Sequence, residues 1–370
     1  MHSAGRTVKL RVDSGHTLLL NGPAQIRLRG GLAECLGAPL AKDFWLSVER
    51  FRQVPIFAID LAEFELRPGS GGSWTEANES TIPTSWSEAA QIVQQQAGVA
   101  AVVGEVDSGK SSLCTLIANR CAQAGVKVGV VDGDVGQADI GPPATVSSGH
   151  VSNLISTLQD LTPERSFFIG DTSPSSTPDK IIRSIVRLKE ELAESCDVVI
   201  VNTDGWVTDF AAQQFKRELL DQIRPDLLLG LSRAGEIDPL LELVRSTTLK
   251  LPISSYARVR SKEERKKTRE KGYRRFLNGS RILNLAREDV RLRMFDQTGQ
   301  SVLQPYRRLQ GLLCGLLKKN GDLLSIARIR NATNDLVIVE TQSVEPASFL
   351  EVGNVVLSSK YEERGYGTLH

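Results

Sequence analysis

Hydrophobic and polar positions alternate along residues 8–66, with the period of two that is typical of half-buried β-strands. Glycine and proline residues between the runs mark turns. The pattern predicts a small antiparallel sandwich or barrel, followed by a linker rich in glycine and serine at residues 68–73. The predicted strands cover residues 8–12, 17–20, 25–29 and 57–66.

From about residue 84 the pattern changes to short apolar runs that alternate with helical stretches. Such alternation is typical of a mostly parallel sheet with helices on both faces. The predicted strands are 100–103, 128–131, 167–169, 198–201 and 227–231, and the predicted helices are 87–95, 110–124, 178–194, 209–223 and 236–246. Ser85 or Ser87 is the expected N-cap of the first helix.

The end of the chain, from residue 288, returns to strand and turn character, as at residues 323–328 and 335–340. The predicted domains are therefore a β domain with its linker (1–83), a central α/β domain (84–287) and a C-terminal β domain (288–370). The predicted fold class is α/β, with a central Rossmann-like parallel sheet flanked by small, mainly-β domains.

One glycine-rich segment carries the strongest chemical signal. Residues 104–111 fit the pattern G-x-x-x-x-G-K-[ST] and lie between a predicted strand and a predicted helix. Backbone N–H groups of such a P-loop surround phosphate oxygens, and the helix N-terminus favours negative charge. The expected ATP contacts are Gly104, Glu105, Val106, Asp107, Ser108, Gly109, Lys110, Ser111 and Ser112, with Lys110 on the β- and γ-phosphates and Ser111 on Mg²⁺.

Two carboxylates follow the next predicted strand, at Asp132 and Asp134. The carboxyl ends of parallel strands line the ligand crevice of an α/β sheet. One carboxylate could support Mg²⁺ while the other accepts a proton from an attacking hydroxyl group, and the spacing does not decide which. The alternative is a solvated turn at the end of a strand.

Two further polar loops follow predicted strands, Gly170-Asp171-Thr172-Ser173-Pro174 and Asn202-Thr203-Asp204-Gly205-Trp206. They are expected at the same crevice. Trp206 offers a flat face on which a nucleobase could stack. Packing of this indole under the following helix is an equally good interpretation.

Residues 258–275 hold ten Lys and Arg residues against three Glu, although the net charge of the whole chain is only +1. Arg265 and Arg269 are four residues apart and would share a helical face, where they could clamp a transferring phosphoryl group. The neighbouring cations could hold a polynucleotide backbone. A solvated helix with Glu–Lys pairs is the alternative.

Five scattered cysteines and four histidines give no metal-ligand spacing, which favours reduced thiols in an intracellular, cytoplasmic protein. No apolar run approaches the ~20 residues of a membrane span, and the first residues lack the apolar core of a signal peptide. We therefore expect no membrane association.

Together these motifs resemble the P-loop polynucleotide 5′-hydroxyl-kinase family, which includes the archaeal RNA kinase, the pre-mRNA cleavage-factor kinase subunit and the nucleolar rRNA-processing kinases. The matching segments are GEVDSGKSS, VDGDVGQADIGPP, FFIGDTSPSS, VIVNTDGWV and RSKEERKKTREKGYRRF. They occur in the family's order. The loop at residues 170–178, which we call the clasp loop, departs from the family because Ser175 follows Pro174 where an asparagine is usual nearby.

The resemblance implies a role for each matching residue. Asp134 would be the base for the 5′-hydroxyl group, and Asp132 would support the Mg²⁺ site together with Ser111. Residues 257–278, which we call the lid, would place Arg265 and Arg269 over the transferring phosphate. The catalytic set would thus be Lys110, Asp132, Asp134, Arg265 and Arg269, and the substrate contacts would be Thr172, Ser173, Gln137 and Trp206.

The implied function is ATP-dependent phosphorylation of the 5′-OH end of RNA, with DNA as an alternative acceptor. ATP and Mg²⁺ are the implied cofactors, and RNA-processing proteins are expected as partners. The rival hypothesis is a catalytically silent, ATP-bound scaffold subunit of an RNA-processing complex.

Overall fold

The computed structural model describes residues 7–96, 98–242, 244, 246–294 and 309–367. The first nine strands are β1 (Val8–Val12), β2 (Thr17–Asn21), β3 (Ala24–Gly30), β4 (Ala33–Cys35), β5 (Ala38–Pro39), β6 (Leu46–Val48), β7 (Gln53–Ala58), β8 (Ala62–Pro68) and β9 (Ser73–Ala77). They form two antiparallel sheets, with the strand orders β1-β8-β3-β6 and β5-β4-β7-β2-β9. Buried and exposed residues alternate along β3 and β8, as the sequence pattern predicts.

The single strand predicted at residues 57–66 is wrong, because the chain turns between β7 and β8. Ile59 N–H donates to the carbonyl oxygen of Leu32, and the Asp60 carboxylate accepts from Leu32 N–H. Ile59 and Leu61 are apolar but 46% and 39% exposed, so the apolar pattern hides the turn.

A seven-stranded sheet lies at the centre of the described residues. Its strands are β10 (Gly98–Gly104), β11 (Val128–Asp132), β12 (Thr145–His150), β13 (Arg165–Phe168), β14 (Val198–Asn202), β15 (Leu227–Ser232) and β16 (Thr247–Pro252). The order is β13-β12-β11-β14-β10-β15-β16. The pairs from β11 to β16 are parallel, whereas β12 and β13 add as antiparallel strands at one edge, so the sheet is mixed.

The helices are α1 (Thr84–Gln96), α2 (Lys110–Gln123), α3 (Pro178–Ala193), α4 (Phe210–Ile223), α5 (Asp238–Leu241) and α6 (Lys262–Leu277). The predicted N-caps Ser85 and Ser87 are wrong, since both lie inside α1. This helix begins directly after Pro83, whose carbonyl oxygen accepts from Trp86 N–H at 2.9 Å. The helix predicted at 236–246 is shorter, and its residues 243 and 245 lie outside the described residues. No helix in the described part of the chain is long and apolar enough to cross a membrane.

The remaining strands are β17 (Arg281–Ala286), β18 (Arg291–Met294), β19 (Leu312–Leu317), β20 (Leu323–Ala332), β21 (Leu336–Thr341), β22 (Phe349–Leu357) and β23 (Glu363–Tyr366). Their sheet has the order β17-β21-β20-β19-β22-β18, and β23 pairs with β22. Of the predicted terminal domains, residues 1–6, 295–308 and 368–370 lie outside the described residues. The domain boundaries stay a prediction.

One hydrophobic core joins the N-terminal sheets to the central sheet. It contains Ile56 and Phe64 from the strands, Trp86 from α1, Leu113 from α2 and Val102 from β10. A second core lies between the opposite face of the central sheet and helices α3 and α4. The N-terminal strands therefore share their packing with the face of the sheet that carries α1 and α2.

We predict that Trp86→Ala lowers the free energy of unfolding by about 3–5 kcal/mol, because it leaves a cavity in this shared core. The Trp86 side chain is 1% exposed, and its indole N–H donates to the Pro252 carbonyl oxygen at 2.9 Å. Urea unfolding measures the loss. Phe44→Ala is the control, since Phe44 is 75% exposed and should cost no more than about 0.5 kcal/mol. Equal losses in the two variants would contradict the assignment of Trp86 to the core.

Candidate active site

The P-loop joins the end of β10 to the start of α2 through two glycines that cannot be replaced without strain. Gly104 has φ 156° and Gly109 has φ 99°. A Cβ on Gly104 would lie 2.7 Å from the carbonyl oxygen of Leu231, and one on Gly109 would lie 2.8 Å from the Trp86 ring. Space and backbone conformation thus both require glycine at these positions.

Lys110 lies inside this loop. Its ammonium group donates to the carbonyl oxygens of Gly104 at 3.0 Å and Glu105 at 2.7 Å. Burial lowers the pKa of Lys110, and the nearby carboxylate of Asp134 opposes that shift. The buried hydroxyl group of Ser108 has no hydrogen-bond partner among the described residues. Ser108 and Lys110 thus offer donors that fit a phosphate group.

Asp132, at the end of β11, organises the loop that follows it. Its Oδ2 accepts from Asp139 N–H at 2.6 Å and Ile140 N–H at 3.1 Å, and its Oδ1 accepts from Asn202 Nδ2 at 3.0 Å. Burial, with Asp139 and Asp134 nearby, raises the pKa of Asp132 to about 7. Asp132 is 1% exposed and does not line the cavity beside the P-loop.

Asp134, in contrast, lines the same cavity as Lys110 and Ser111. Its Oδ1 accepts from the backbone N–H groups of Gly136 at 3.1 Å and Gln137 at 2.9 Å. Burial raises the pKa of Asp134, while Lys110 acts in the opposite direction. The result is a fixed carboxylate beside the P-loop, of the kind that general-base chemistry uses.

The loop after β14 approaches the P-loop so closely that Gly205 has no room for a side chain. A Cβ there would lie 2.5 Å from the backbone nitrogen of Val106. Asp204 holds the loop, because its carboxylate pairs with the fully buried Lys216 and accepts from Trp206 N–H at 2.9 Å.

Trp206 is half-buried and contacts helix α4 with its ring. Its ring lies 5.9 Å from that of Phe215, and its indole N–H donates to Asp209 at 2.5 Å. The structure therefore contains the packing contact that was one of the two interpretations of Trp206. Its part-exposed ring leaves the stacking role a prediction.

The clasp loop is held by the C-terminal strands. Thr172 Oγ1 lies 2.7 Å from the hydroxyl group of Tyr366, and Asp171 Oδ2 accepts from Asn354 Nδ2 at 3.1 Å. Ser173 Oγ lies 2.8 Å from Ser175 Oγ. A Cβ on Gly136 would lie 2.8 Å from the carbonyl oxygen of Thr172, so the clasp loop and the loop after β11 are in contact.

The two lid arginines have different partners. Arg265 donates to the carbonyl oxygen of Arg260 at 2.6 Å, and it lies 3.4 Å from Asp107 of the P-loop. Arg269 makes a bidentate ion pair with Glu363, at 2.6 and 2.7 Å. Neither side chain lines the cavity beside the P-loop.

The structure thus brings only part of the predicted set to one cavity. The predicted residues that line it are Val106, Asp107, Gly109, Lys110, Ser111, Ser112, Asp134 and Gln137. Those that do not line it are Gly104, Glu105, Ser108, Asp132, Thr172, Ser173, Trp206, Arg265 and Arg269.

Several lining residues were missed from the sequence. The cavity also contains Leu19, Phe51, Arg52, Gln53 and Pro55 of the N-terminal region, Thr81, Ile82, Trp86 and Asp139, and Ser254, Tyr256, Ala257, Arg258 and Arg260 before α6. Arg258 and Arg260 belong to the basic segment, Ala257 begins the lid, and Asp139 lies in the matching segment that contains Asp134. The others come from strands and loops distant in sequence.

The oxygen atoms near the P-loop fit a Mg²⁺ ion whose remaining ligands are phosphate oxygens. No group of three His, Cys, Asp or Glu side chains among the described residues has an arrangement that could hold a metal ion. Mg²⁺ usually takes one or two protein ligands and completes its octahedron with waters and substrate phosphates. The hydroxyl group of Ser111 and a neighbouring carboxylate are sufficient for such a site.

Comparison with known families identifies this arrangement. Residues 104–279 match the family described as the mRNA cleavage and polyadenylation factor CLP1 P-loop. Over this segment, which is slightly less than half of the chain, the protein is similar to the CLP1 P-loop family. The matched segment runs from the first P-loop glycine to the end of the lid, and the resemblance expected from the motifs is confirmed.

Several curated proteins are similar in sequence to this chain over part of its length. A polyribonucleotide 5′-hydroxyl-kinase of Pyrococcus horikoshii is 34% identical over 203 residues, which cover 55% of each chain. One of Pyrococcus abyssi is 28% identical over 261 residues, covering 69% of this chain and 73% of the relative. Polyribonucleotide 5′-hydroxyl-kinase Clp1 of Rattus norvegicus is 24% identical, covering 70% and 65%. The match to the first relative therefore spans about half of its length.

Solved structures share the whole fold. A wild-type Clp1p–Pcf11p complex contains a chain that superposes with a TM-score of 0.77 at 13% identity, covering 95% of this chain and 98% of the other. A second Clp1p–Pcf11p structure, of a study of ATP loss in a Gly135Arg mutant, gives a TM-score of 0.75 at 13% identity, covering 96% and 99%. The predicted α/β class is thereby confirmed in its coarse form, a fold of helices with several sheets.

We predict that Gly205→Ala weakens nucleotide binding by about tenfold or more, because the new methyl group must displace the backbone of Val106. Titration with a fluorescent ATP analogue measures the affinity, and the melting temperature reports the fold. Unchanged affinity would mean that the P-loop tolerates displacement at this contact.

Proposed function

We propose that this chain is an ATP-dependent polynucleotide 5′-hydroxyl kinase, which transfers the γ-phosphate of ATP to the 5′-OH end of RNA, with DNA as an alternative acceptor. The observation that carries the proposal is the single cavity lined by Lys110, Ser111 and Asp134. Phosphate-binding groups and a candidate base lie together there. The names of the related kinases support the same reaction.

The P-loop residues 104–112 bind the phosphates in this proposal. Lys110 exchanges its two backbone acceptors for phosphate oxygens, and the Ser108 hydroxyl group gains the partner that it lacks. Ser111 is the residue that would hold Mg²⁺ directly, and Asp132, whose carboxylate does not line the cavity, would support that site from behind. Mg²⁺ when bound neutralises charge on the β- and γ-phosphates. The N-terminal side of the cavity receives the adenosine.

Asp134 takes the proton of the 5′-hydroxyl group. Its Oδ1 is fixed by two backbone N–H groups, so the carboxylate is oriented before substrate arrives. Its raised pKa makes it a stronger base than an exposed aspartate. Asp132 supports it by holding the loop between β11 and Ile140.

The acceptor end enters between the clasp loop and Trp206. Thr172 and Ser173 present hydroxyl groups, and Gln137 presents an amide whose oxygen has no partner among the described residues. Trp206 stacks on the terminal base with the face that does not contact Phe215. The lid supplies positive charge to the transferring phosphoryl group.

We further propose the domain division 1–83, 84–287 and 288–370, a cytoplasmic location, and association with RNA-processing proteins. The two Clp1p–Pcf11p structures support a partner of that kind, since the same fold is found there in a complex. The contacts of Tyr366 with Thr172 and of Glu363 with Arg269 support a C-terminal domain that takes part in the proposed site.

The test is transfer of labelled γ-phosphate from ATP to matched 5′-OH RNA and DNA oligonucleotides, with and without Mg²⁺. We predict labelling that requires Mg²⁺ and falls about 10²-fold or more in Lys110→Ala and Asp134→Asn. Lys319→Ala and Asp13→Asn are matched controls, since both side chains are exposed and far from the P-loop in sequence.

Two results would contradict the proposed kinase function. Wild-type protein that binds ATP but labels neither oligonucleotide would favour the silent, ATP-bound scaffold. Equal labelling by wild type and both site variants would mean that the transfer comes from elsewhere.

The lid arginines allow a separate prediction. Arg265→Ala should lower the transfer rate by about 10³-fold, the contribution typical of an arginine that neutralises a transferring phosphoryl group, with little change in melting temperature. Arg269→Ala should instead lower stability, because it leaves Glu363 buried without its partner. The transfer rate and the melting temperature of both variants test this difference. A rate loss in Arg269→Ala without loss of stability would place Arg269 on the phosphoryl group, after it leaves Glu363.

A further inference from the structure

Asp107 belongs to the P-loop, and its carboxylate is bonded to residues of the lid. Its backbone has φ 60°, in the left-handed region that asparagine and aspartate adopt more readily than other non-glycine residues. Its carboxylate is only 2% exposed. A P-loop residue thus places a buried negative charge against another part of the chain.

That part is the start of the lid. Asp107 Oδ1 accepts from Nε of Arg260 at 2.7 Å and lies 2.6 Å from its Nη2, and Oδ2 accepts from Arg260 N–H at 2.8 Å. Arg265 Nη1 lies 3.4 Å from the same Oδ2. A buried carboxylate is retained only when it is paired and hydrogen-bonded, and Arg260 supplies most of the donors.

Arg260 is joined to a rigid unit. Its carbonyl oxygen accepts from Arg265 at 2.6 Å, and the next residue, Ser261, caps α6 in a reciprocal capping box with Glu264. Glu264 also pairs with Arg258. Asp107 therefore holds the whole start of the lid rather than one side chain.

We propose that the ion pair of Asp107 and Arg260 is a latch, which closes the lid over bound nucleotide and presents Arg265 to the transferring phosphoryl group. Arg258 and Arg260 form part of the cavity wall, so a movement of the start of the lid would change the surface that bound nucleotide contacts. Arg265 lies farther from Asp107 than Arg260 does, so Arg265 can turn to phosphate by giving up its bond to the Arg260 carbonyl oxygen, while the ion pair of Asp107 and Arg260 stays in place. The role for Arg265 rests on the proposed function, and Asp107 and Arg260 are positioning residues.

The test is the rate at which a ribose-labelled fluorescent ADP leaves the protein, measured by stopped flow without acceptor. Asp107→Asn removes the charge and keeps a residue that tolerates the left-handed conformation. We predict about tenfold faster release in Asp107→Asn and in Arg260→Gln, and no further increase in the double variant, because both changes break the same contact. Glu263→Gln is the control, since it removes a lid carboxylate that makes only an exposed pair with Lys267.

The latch proposal would be overturned if the two changes multiplied their effects on the ADP release rate in the double variant. It would also be overturned if neither single variant changed that rate. Arg260→Lys keeps the charge and should recover part of the slow release, which tests the latch even where Asp107→Asn does not fold. In transfer assays Asp107→Asn should lower kcat and leave the acceptor KM unchanged, a split that a purely structural defect does not produce. Wild type that binds ADP but transfers no phosphate would remove the proposed function alone, whereas failure to bind ADP would overturn both.

Discussion

Trp86 is the contact on which the geometry of the site depends. Its indole lies under Gly109 at the beginning of α2, so closely that glycine is required there, and its N–H is bonded to the carbonyl oxygen of Pro252 at the end of β16. The same side chain belongs to the core that joins the N-terminal strands to the central sheet. One buried residue thus fixes the P-loop, the edge of the sheet and the N-terminal region relative to one another. Since phosphate binding requires preorganised N–H groups, this packing is a condition for the chemistry.

The sequence predicted those parts of the fold in which local pattern and burial agree. The strands β10, β11, β14 and β15 are apolar up to their last residue, because they are buried on both faces, and the P-loop lies where strand and helix meet. β12 was missed because it contains buried serines, which the apolar pattern does not include. Their hydroxyl groups are satisfied by hydrogen bonds, such as the one between Ser147 and Ser166 at 2.8 Å. β16 was missed for a different reason, since lysine and proline interrupt its apolar positions.

Sequence motifs predicted which residues form the candidate site, but they did not predict which distant residues those side chains contact. Lys110, Ser111 and Asp134 come from short segments whose residue types state their chemistry, and the fold places them in one cavity. The partners of Arg265 and Arg269 lie 158 and 94 residues away, at Asp107 and Glu363, and no spacing in the chain relates them. The cavity wall formed by Phe51 and Pro55 was not predicted for the same reason, since no motif relates these residues to the P-loop.

The C-terminal strands hold two of the elements that are proposed to contact the acceptor, although none of the recognisable motifs lies in those strands. The β22–β23 region holds the clasp loop through Asn354 and Tyr366 and holds the lid through Glu363. Lid and clasp loop are therefore attached to the same hairpin, while the start of the lid is attached to the P-loop by Asp107. A displacement of that hairpin would therefore act on the clasp loop and on the lid, and through Asp107 it would also reach the P-loop. The P-loop is held separately by the packing of Trp86 against Gly109.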